Sequence, residues 1–146
     1  PTFLDAVENP CSKHRLEGSS LLPIIRDQNL KNWKEAVFSE IDYAFYAVRK
    51  SLNLGATDAR AYMIRTDKWK YIYFKGFAPQ LFNLENDLDE FKDLGQHPDY
   101  SEIREKLKEI LFQRLINRKN LVTVDENYIL KERNDKSEDD IMIGVW

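Results

Sequence analysis

The feature that most constrains the fold of this chain is a run of β-branched and aromatic residues between positions 60 and 95. Residues 61–64 and 69–74 are rich in the side chains that favour a half-buried pleated sheet. A polar turn separates these two runs, and glycine and proline precede a third short run at residues 81–84. The pattern predicts an antiparallel meander.

Further elements are predicted on either side of the meander. Residues 36–42 alternate in side-chain character as a strand does, whereas residues 43–54 fit a strand or a helix equally well. Apolar residues recur at helical spacing between positions 99 and 118, with Asp99 as the expected cap. We therefore predict an α+β fold. It comprises a small antiparallel sheet of about four strands packed by a long C-terminal helix, with an N-terminal helical segment and an extended C-terminal tail.

Composition places the chain among ordinary globular proteins. It has 146 residues, of which 42% are hydrophobic and 32% are charged, and its net charge is −3. The acidic balance argues against a nucleic-acid partner, and the apolar runs are too short for a membrane span, so no membrane partner is expected. The predicted location is cytoplasmic. Three regions are predicted: residues 1–35, residues 36–120 and a tail of residues 121–146.

Two motifs carry a family resemblance. Residues 60–72 read R-x-Y-M-I-R-T-x-x-W-K-Y-I, and residues 80–94 read Q-L-F-N-L-E-N-D-x-x-E-x-x-x-L. Together they resemble the C-terminal subdomain of the sulfatase family in the alkaline phosphatase superfamily, in particular its phosphonate monoester hydrolase and arylsulfatase branch. Leu88 stands where that pattern usually has proline, and Glu17 stands where a preceding segment usually has aspartate.

The resemblance implies a parent protein that hydrolyses sulfate, phosphate or phosphonate esters. Such a parent uses a formylglycine nucleophile and a divalent metal such as Mn²⁺ or Zn²⁺, and both would be held by residues upstream of Pro1. No catalytic, cofactor-binding or metal-binding residue is therefore assigned in this chain, which is expected to be inactive alone. Its start without methionine also suggests a fragment.

The expected role of the fragment is structural. It would complete the parent's fold beside a missing N-terminal catalytic domain and contribute to a homo-oligomer through its tail. Docking of the tail on its own domain is an equally open alternative. The alternative is a free-standing module that binds a protein partner. A third hypothesis, a small independent hydrolase, would use four residues of this chain: Cys11, His14, Glu40 and Asp42.

The single cysteine requires separate consideration. Formylglycine is made in the family from a Cys-x-Pro/Ala-x-Arg motif, and Cys11 and Arg15 have that spacing. Lys13, however, occupies the position that needs proline or alanine, so a loop cysteine without a catalytic role is the favoured interpretation. A metal site on His14 or His97 would need converging carboxylates, which the sequence does not show.

Two other groups of residues have structural explanations. Residues 87–91 resemble a calcium loop but lack the required glycine, which favours an acidic turn whose carboxylates cap backbone amides. The mixture of basic and aromatic residues in residues 65–73 suits single-stranded nucleic acid. Aromatic side chains packed beneath the long helix explain it better, given the net negative charge.

Overall fold

The computed structural model describes residues 1–9, 16–27 and 33–119. These residues form two compact units, each described here by itself. The terminal unit contains residues 1–9, 16–27 and 117–119, and the sheet unit contains residues 33–116. The predicted division at residues 35 and 120 stays a prediction, and the predicted tail of residues 121–146 lies outside the described residues.

The terminal unit contains two short helices, α1 (Thr2–Ala6) and α2 (Leu22–Arg26). Proline lies at the beginning of each, where its missing N–H costs nothing. The backbone N–H of Leu21 donates to Thr2 Oγ1 at 3.1 Å, which links the start of α2 to α1. Both the backbone N–H and the ammonium group of Lys119 donate to residues 16 and 17.

The sheet unit is built on a four-stranded antiparallel sheet in the order β1-β2-β3-β4. The strands are β1 (Val37–Asp42), β2 (Arg60–Arg65), β3 (Trp69–Phe74) and β4 (Gln80–Asn83). Thr66 closes the turn between β2 and β3, because its hydroxyl accepts the Trp69 N–H at 3.0 Å. The predicted meander is confirmed.

Two helices accompany the sheet. Helix α3 (Ala47–Ser51) follows β1, and the long α4 (Ser101–Ile116) follows β4. Short 3₁₀ turns at Ala56–Asp58 and Pro98–Tyr100 precede β2 and α4. His97, and not the expected Asp99, provides the cap of the second turn, since its Nδ1 accepts the Asp99 N–H at 3.4 Å. The predicted α+β fold class is confirmed.

The core lies between the sheet and α4. Its buried members come from three strands, the segment after β4 and the helix: Ile64, Tyr71, Leu81, Leu94, Leu107 and Leu111. Strand register explains the sheet's share, because Ile64 lies opposite Tyr71 and Tyr71 lies opposite Leu81. Trp69 and Tyr100 pack against this cluster with ring centroids 5.7 Å apart. The predicted packing of aromatic side chains beneath the long helix is confirmed.

Candidate functional site

Asp42 and Glu40, the paired carboxylates of the sequence analysis, both lie exposed on β1. Asp42 accepts the Ala44 N–H at 2.9 Å and pairs with the Arg60 guanidinium at 3.3 Å. The Ala44 hydrogen bond, assisted by Arg60, holds the pKa of the Asp42 carboxyl below its ordinary value. Asp42 therefore stabilises the turn that leaves β1, and this contact together with Arg60 favours its ionised form.

The other candidate residues also have structural roles where they are described. Asp87 accepts the backbone N–H groups of Phe91 at 3.1 Å and Lys92 at 2.8 Å, which confirms the predicted acidic turn. Lys70 pairs with Glu90 at 2.6 Å in a partly buried position. Cys11, His14 and Arg15 lie outside the described residues.

The described residues form neither a metal-binding cluster nor a membrane-spanning helix. Within residues 1–9, 16–27 and 33–119, no three His, Cys, Asp or Glu side chains converge in a way that would hold a metal ion. No helix in the same ranges is long and apolar enough to cross a membrane. The cytoplasmic location stays a prediction.

The sheet unit carries an open apolar groove of about 850 Å³. We call it the β1–α3 groove, after the elements that form one side of it. Its aromatic and aliphatic lining is Ile41, Tyr43, Tyr46, Ala47, Val48, Leu52, Ala61, Phe74, Phe77, Ala78 and Pro79, joined by Gln80, Asp93 and Gln96. Pockets of this size and character are common binding sites for apolar groups.

Strand register forms the floor of the groove. Ile41 lies opposite Ala61 on β2, and Ala61 lies opposite Phe74 on β3, so the three side chains share the face of the sheet that α4 does not cover. One side of the groove is α3. Its position is fixed by Arg49, whose Nε and Nη1 donate to the carbonyls of Ala44 at 2.7 Å and Leu54 at 2.9 Å.

The opposite side of the groove is the segment around Phe77 and Pro79. It is held at a fixed distance by Gly95, because a Cβ atom at that position would collide with the carbonyl oxygen of Pro79. Asp93 stabilises the same region, since its Oδ1 accepts the N–H groups of Leu81 at 3.0 Å and Gly95 at 2.7 Å. The groove therefore has a preformed backbone on both sides.

The sequence analysis did not find this groove. Its residues come from β1, α3, two strand ends and the connection after β4, and a periodicity argument treats each of these separately. The available signal is the aromatic run of residues 43–46, in a segment that fits a strand or a helix equally well. In the structure these residues form a turn, and Tyr46, the last of them, directly precedes α3. The Phe45 side chain is fully exposed.

A second cavity, of about 820 Å³, lies in the terminal unit. Its charged lining residues are Asp5, Glu8, Glu17, Arg26 and Lys119. The N–H of Lys119 donates to Glu17 at 2.9 Å, so that carboxylate already has a partner inside the unit. This cavity is polar and mixed in charge, in contrast to the groove.

Comparison with known proteins places the chain. The family model described as N-sulphoglucosamine sulphohydrolase, C-terminal, matches residues 1–117. The chain belongs to this sulphohydrolase C-terminal family. Its sequence is 30% identical over 88 residues to the multifunctional alkaline phosphatase superfamily protein PehA of Trinickia caryophylli, which covers 58% of the chain and 17% of PehA. Arylsulfatase K of Gallus gallus is 31% identical over 140 residues, covering 90% of the chain and 24% of the relative.

A solved structure agrees with these sequence matches. The phosphonate monoester hydrolase of Agrobacterium radiobacter superposes with a TM-score of 0.68 and 26% identity, over 77% of this chain and 23% of the hydrolase chain. The predicted resemblance to the sulfatases of the alkaline phosphatase superfamily is confirmed. This member of the sulphohydrolase C-terminal family spans roughly a fifth of the length of the relatives it matches.

Proposed function

We propose that this chain is the C-terminal, non-catalytic part of a longer hydrolase that cleaves sulfate, phosphate or phosphonate esters. The family match over residues 1–117 carries the proposal. The relatives support it, since they are sulfatases and phosphonate hydrolases of which the matched part is the smaller share.

The side chains of this chain support a structural role within that hydrolase. Asp42 holds a turn, His97 caps a 3₁₀ helix and Asp87 caps two backbone amides. Each of these side chains stabilises the local backbone, whereas a catalytic side chain would direct its reactive atom into a cleft. The nucleophile and a divalent metal such as Mn²⁺ or Zn²⁺ would then belong to the catalytic part outside this chain.

The finer role in the longer protein has two components. The sheet unit completes the fold beside the catalytic part, and residues 121–146 contribute to contacts between copies in a homo-oligomer. The second component follows from the sequence of the tail, in which the charged residues 131–140 are followed by the apolar residues 141–146. An apolar end on a polar tether is suited to docking on a partner surface.

The test is a comparison of two proteins made from the same gene. The longer protein is expressed from the reading frame that surrounds this segment, and the 146-residue chain is expressed alone. Both are assayed on an aryl sulfate, an aryl phosphate and a phosphonate monoester, with Mn²⁺ or Zn²⁺ added. We expect turnover by the longer protein and none by the chain alone.

Two results would overturn this proposal. Turnover by the 146-residue chain that disappears in Cys11→Ala would show that the imperfect Cys11–Arg15 motif is an active site. A stop codon immediately upstream of the Pro1 codon, together with a chain that is monomeric by light scattering, would favour the free-standing interaction module. The exposed β1–α3 groove is the observation that favours this second candidate.

A further inference from the structure

The β1–α3 groove gathers exposed apolar side chains into one concave surface. Its five large exposed hydrophobic residues come from β1, the α3 region and the segment after β3: Ile41 at 53%, Tyr46 at 61%, Val48 at 48%, Leu52 at 43% and Phe77 at 43%. They line one continuous concavity, whereas single exposed hydrophobic residues scattered over a surface are normal. A contiguous patch of this kind marks an interaction site.

The charges at the groove exclude one class of occupant. Asp93 is the single charged residue in its described lining, and its Oδ1 already accepts two backbone N–H groups. A sulfate or phosphonate ester is an anion, and its site needs cationic side chains or free N–H donors. The groove is therefore unsuited to the charged end of such a substrate and suited to a neutral, apolar occupant.

The groove also differs from the surface on the other side of the sheet. A smaller cavity there, beside α4, has Phe112 in its lining, but Glu105, Lys108 and Glu109 line it too. Such mixing of charge and hydrocarbon is typical of the solvent-facing side of an amphipathic helix. Phe112 is 52% exposed and Phe77 is 43% exposed, so the two phenylalanines differ in their surroundings more than in their exposure.

Strand β1 continues the apolar surface to the edge of the sheet. All six of its residues are exposed, and β1 is the terminal strand in the sheet order. Val37, on the same face of the strand as Ile41, is 51% exposed. An exposed edge strand beside an apolar groove is the kind of surface that proteins cover with other polypeptide.

We propose that the β1–α3 groove is the packing site for an apolar segment of the catalytic part of the same longer polypeptide. The inference rests on the proposed function. The relatives supply the occupant, since the matched part is 17% to 24% of their length and the remainder is covalently attached to it. Covalent attachment gives that remainder an effective concentration that a separate partner cannot match.

Hydroxyl-radical footprinting of the longer protein tests the proposal with a matched pair of residues. Phe77 lies in the groove and Phe112 lies beside α4, so each serves as the reference for the other. We expect Phe77 to be oxidised at least about fivefold more slowly than Phe112, because the core of an interface excludes solvent. Tyr46 is expected to follow Phe77. Equal oxidation of the two phenylalanines, or slower oxidation of Phe112, would overturn the proposal.

Photo-crosslinking identifies the occupant. In the longer protein, Phe77→p-benzoylphenylalanine places a photoreactive aromatic group in the groove, and Phe112→p-benzoylphenylalanine is the control. We expect the Phe77 variant to crosslink within one copy to a peptide of the catalytic part, and the control to give no such product. A crosslink between two copies, or protection of Phe77 that disappears on dilution, would mean that a second copy fills the groove and would overturn the proposal.

The two proposals fail separately. If the longer protein hydrolyses esters but Phe77 is as reactive as Phe112, the groove proposal is wrong and the proposed function stands. If Phe77 is protected by another part of its own polypeptide but no ester is turned over, the packing site stands and the hydrolase assignment fails.

Discussion

The two faces of the β-sheet in the sheet unit have similar residue types but very different cover. On the face beneath α4, a row across the strands runs Ile64, Tyr71 and Leu81, and none of these side chains is more than 2% exposed. On the other face, the row Ile41, Ala61 and Phe74 is covered unevenly, since Ala61 is 5% exposed but Ile41, on the edge strand, is 53% exposed. The difference shows that hydrophobic alternation identifies the two faces of a strand, but not how completely each face is covered within this chain.

The largest contrast is expected from truncating one side chain on each face. Leu81→Ala removes a fully buried side chain and should lower the free energy of unfolding by about 3–5 kcal/mol. Ile41→Ala should lower it by less than about 0.5 kcal/mol, since exposed positions contribute little. Urea denaturation of the 146-residue chain measures both. A loss of similar size in the two variants would contradict the assignment of covered and uncovered faces.

A smaller effect is expected in the segment that follows β4. Gly95 lies against the backbone of Pro79 and Gln80, so Gly95→Ala should lower the free energy of unfolding by roughly 1–3 kcal/mol through overpacking. Gly18→Ala is the matched control, because its Cβ would be 3.5 Å from the nearest atom, an ordinary contact. Thermal unfolding followed by circular dichroism distinguishes them. If Gly95→Ala were as stable as the control, the close approach would not exist.

The covered face should also respond to alkaline pH. Burial raises the pKa of Tyr71 to about 12 from an ordinary value of 10.0. Because the folded pKa is the higher one, this stabilisation is complete below pH 10 and is lost as pH rises towards 12. The slope is at most about 1.4 kcal/mol per pH unit, and it is steepest near pH 11, midway between the two pKa values. Urea titrations between pH 9 and 12 should show the stability of wild type falling most steeply near pH 11, and that of Tyr71→Phe falling less steeply. Identical slopes in the two proteins would show that the pKa of Tyr71 is not raised by burial.

The smallest effect compares two ion pairs of equal length. Lys70–Glu90 and Lys68–Glu85 both have N–O distances of 2.6 Å, but the first pair is 23% and 29% exposed and the second 52% and 58%. Double-mutant cycles to alanine should give a coupling of about 1 kcal/mol for the first pair and about 0.3 kcal/mol for the second. In the more buried pair, the Lys70 ammonium group also lies 5.9 Å from the centroid of the Phe82 ring. Equal coupling energies would show that partial burial adds nothing here.

The regular helices and strands can be predicted from the sequence, because the periodic pattern that specifies each of them is local. Residues 69–74 were predicted as a strand and form β3, and the apolar spacing after position 99 predicted α4 to within two residues at each end. Asp42 was identified as a candidate for chemistry, but its use depends on a turn and on Arg60, eighteen residues away. The sequence could not show that pairing, because it is set by the register of β1 against β2.

The groove could not be predicted for a related reason. Phe77 and Tyr46 are 31 positions apart in sequence, and they line one groove only after the meander and α3 have formed. Residues 43–54 were ambiguous by periodicity, and the structure resolves them through the capping contacts of Asp42 and Arg49. The conformation of such segments is set by hydrogen bonds of individual side chains. A periodic sequence pattern carries no information about those hydrogen bonds.

The strand order β1-β2-β3-β4 also has a consequence for the rate of folding. Every strand pairs with its neighbour in sequence, so each contact in the sheet closes a short loop. Proteins dominated by such local pairings reach their native topology faster than those that must join distant segments. The sheet can thus form early as a unit, and in the proposed packing its apolar groove stays uncovered until the catalytic part has folded. The interval between those two events is when this part of the protein is most exposed to aggregation, and when a chaperone would find its binding surface.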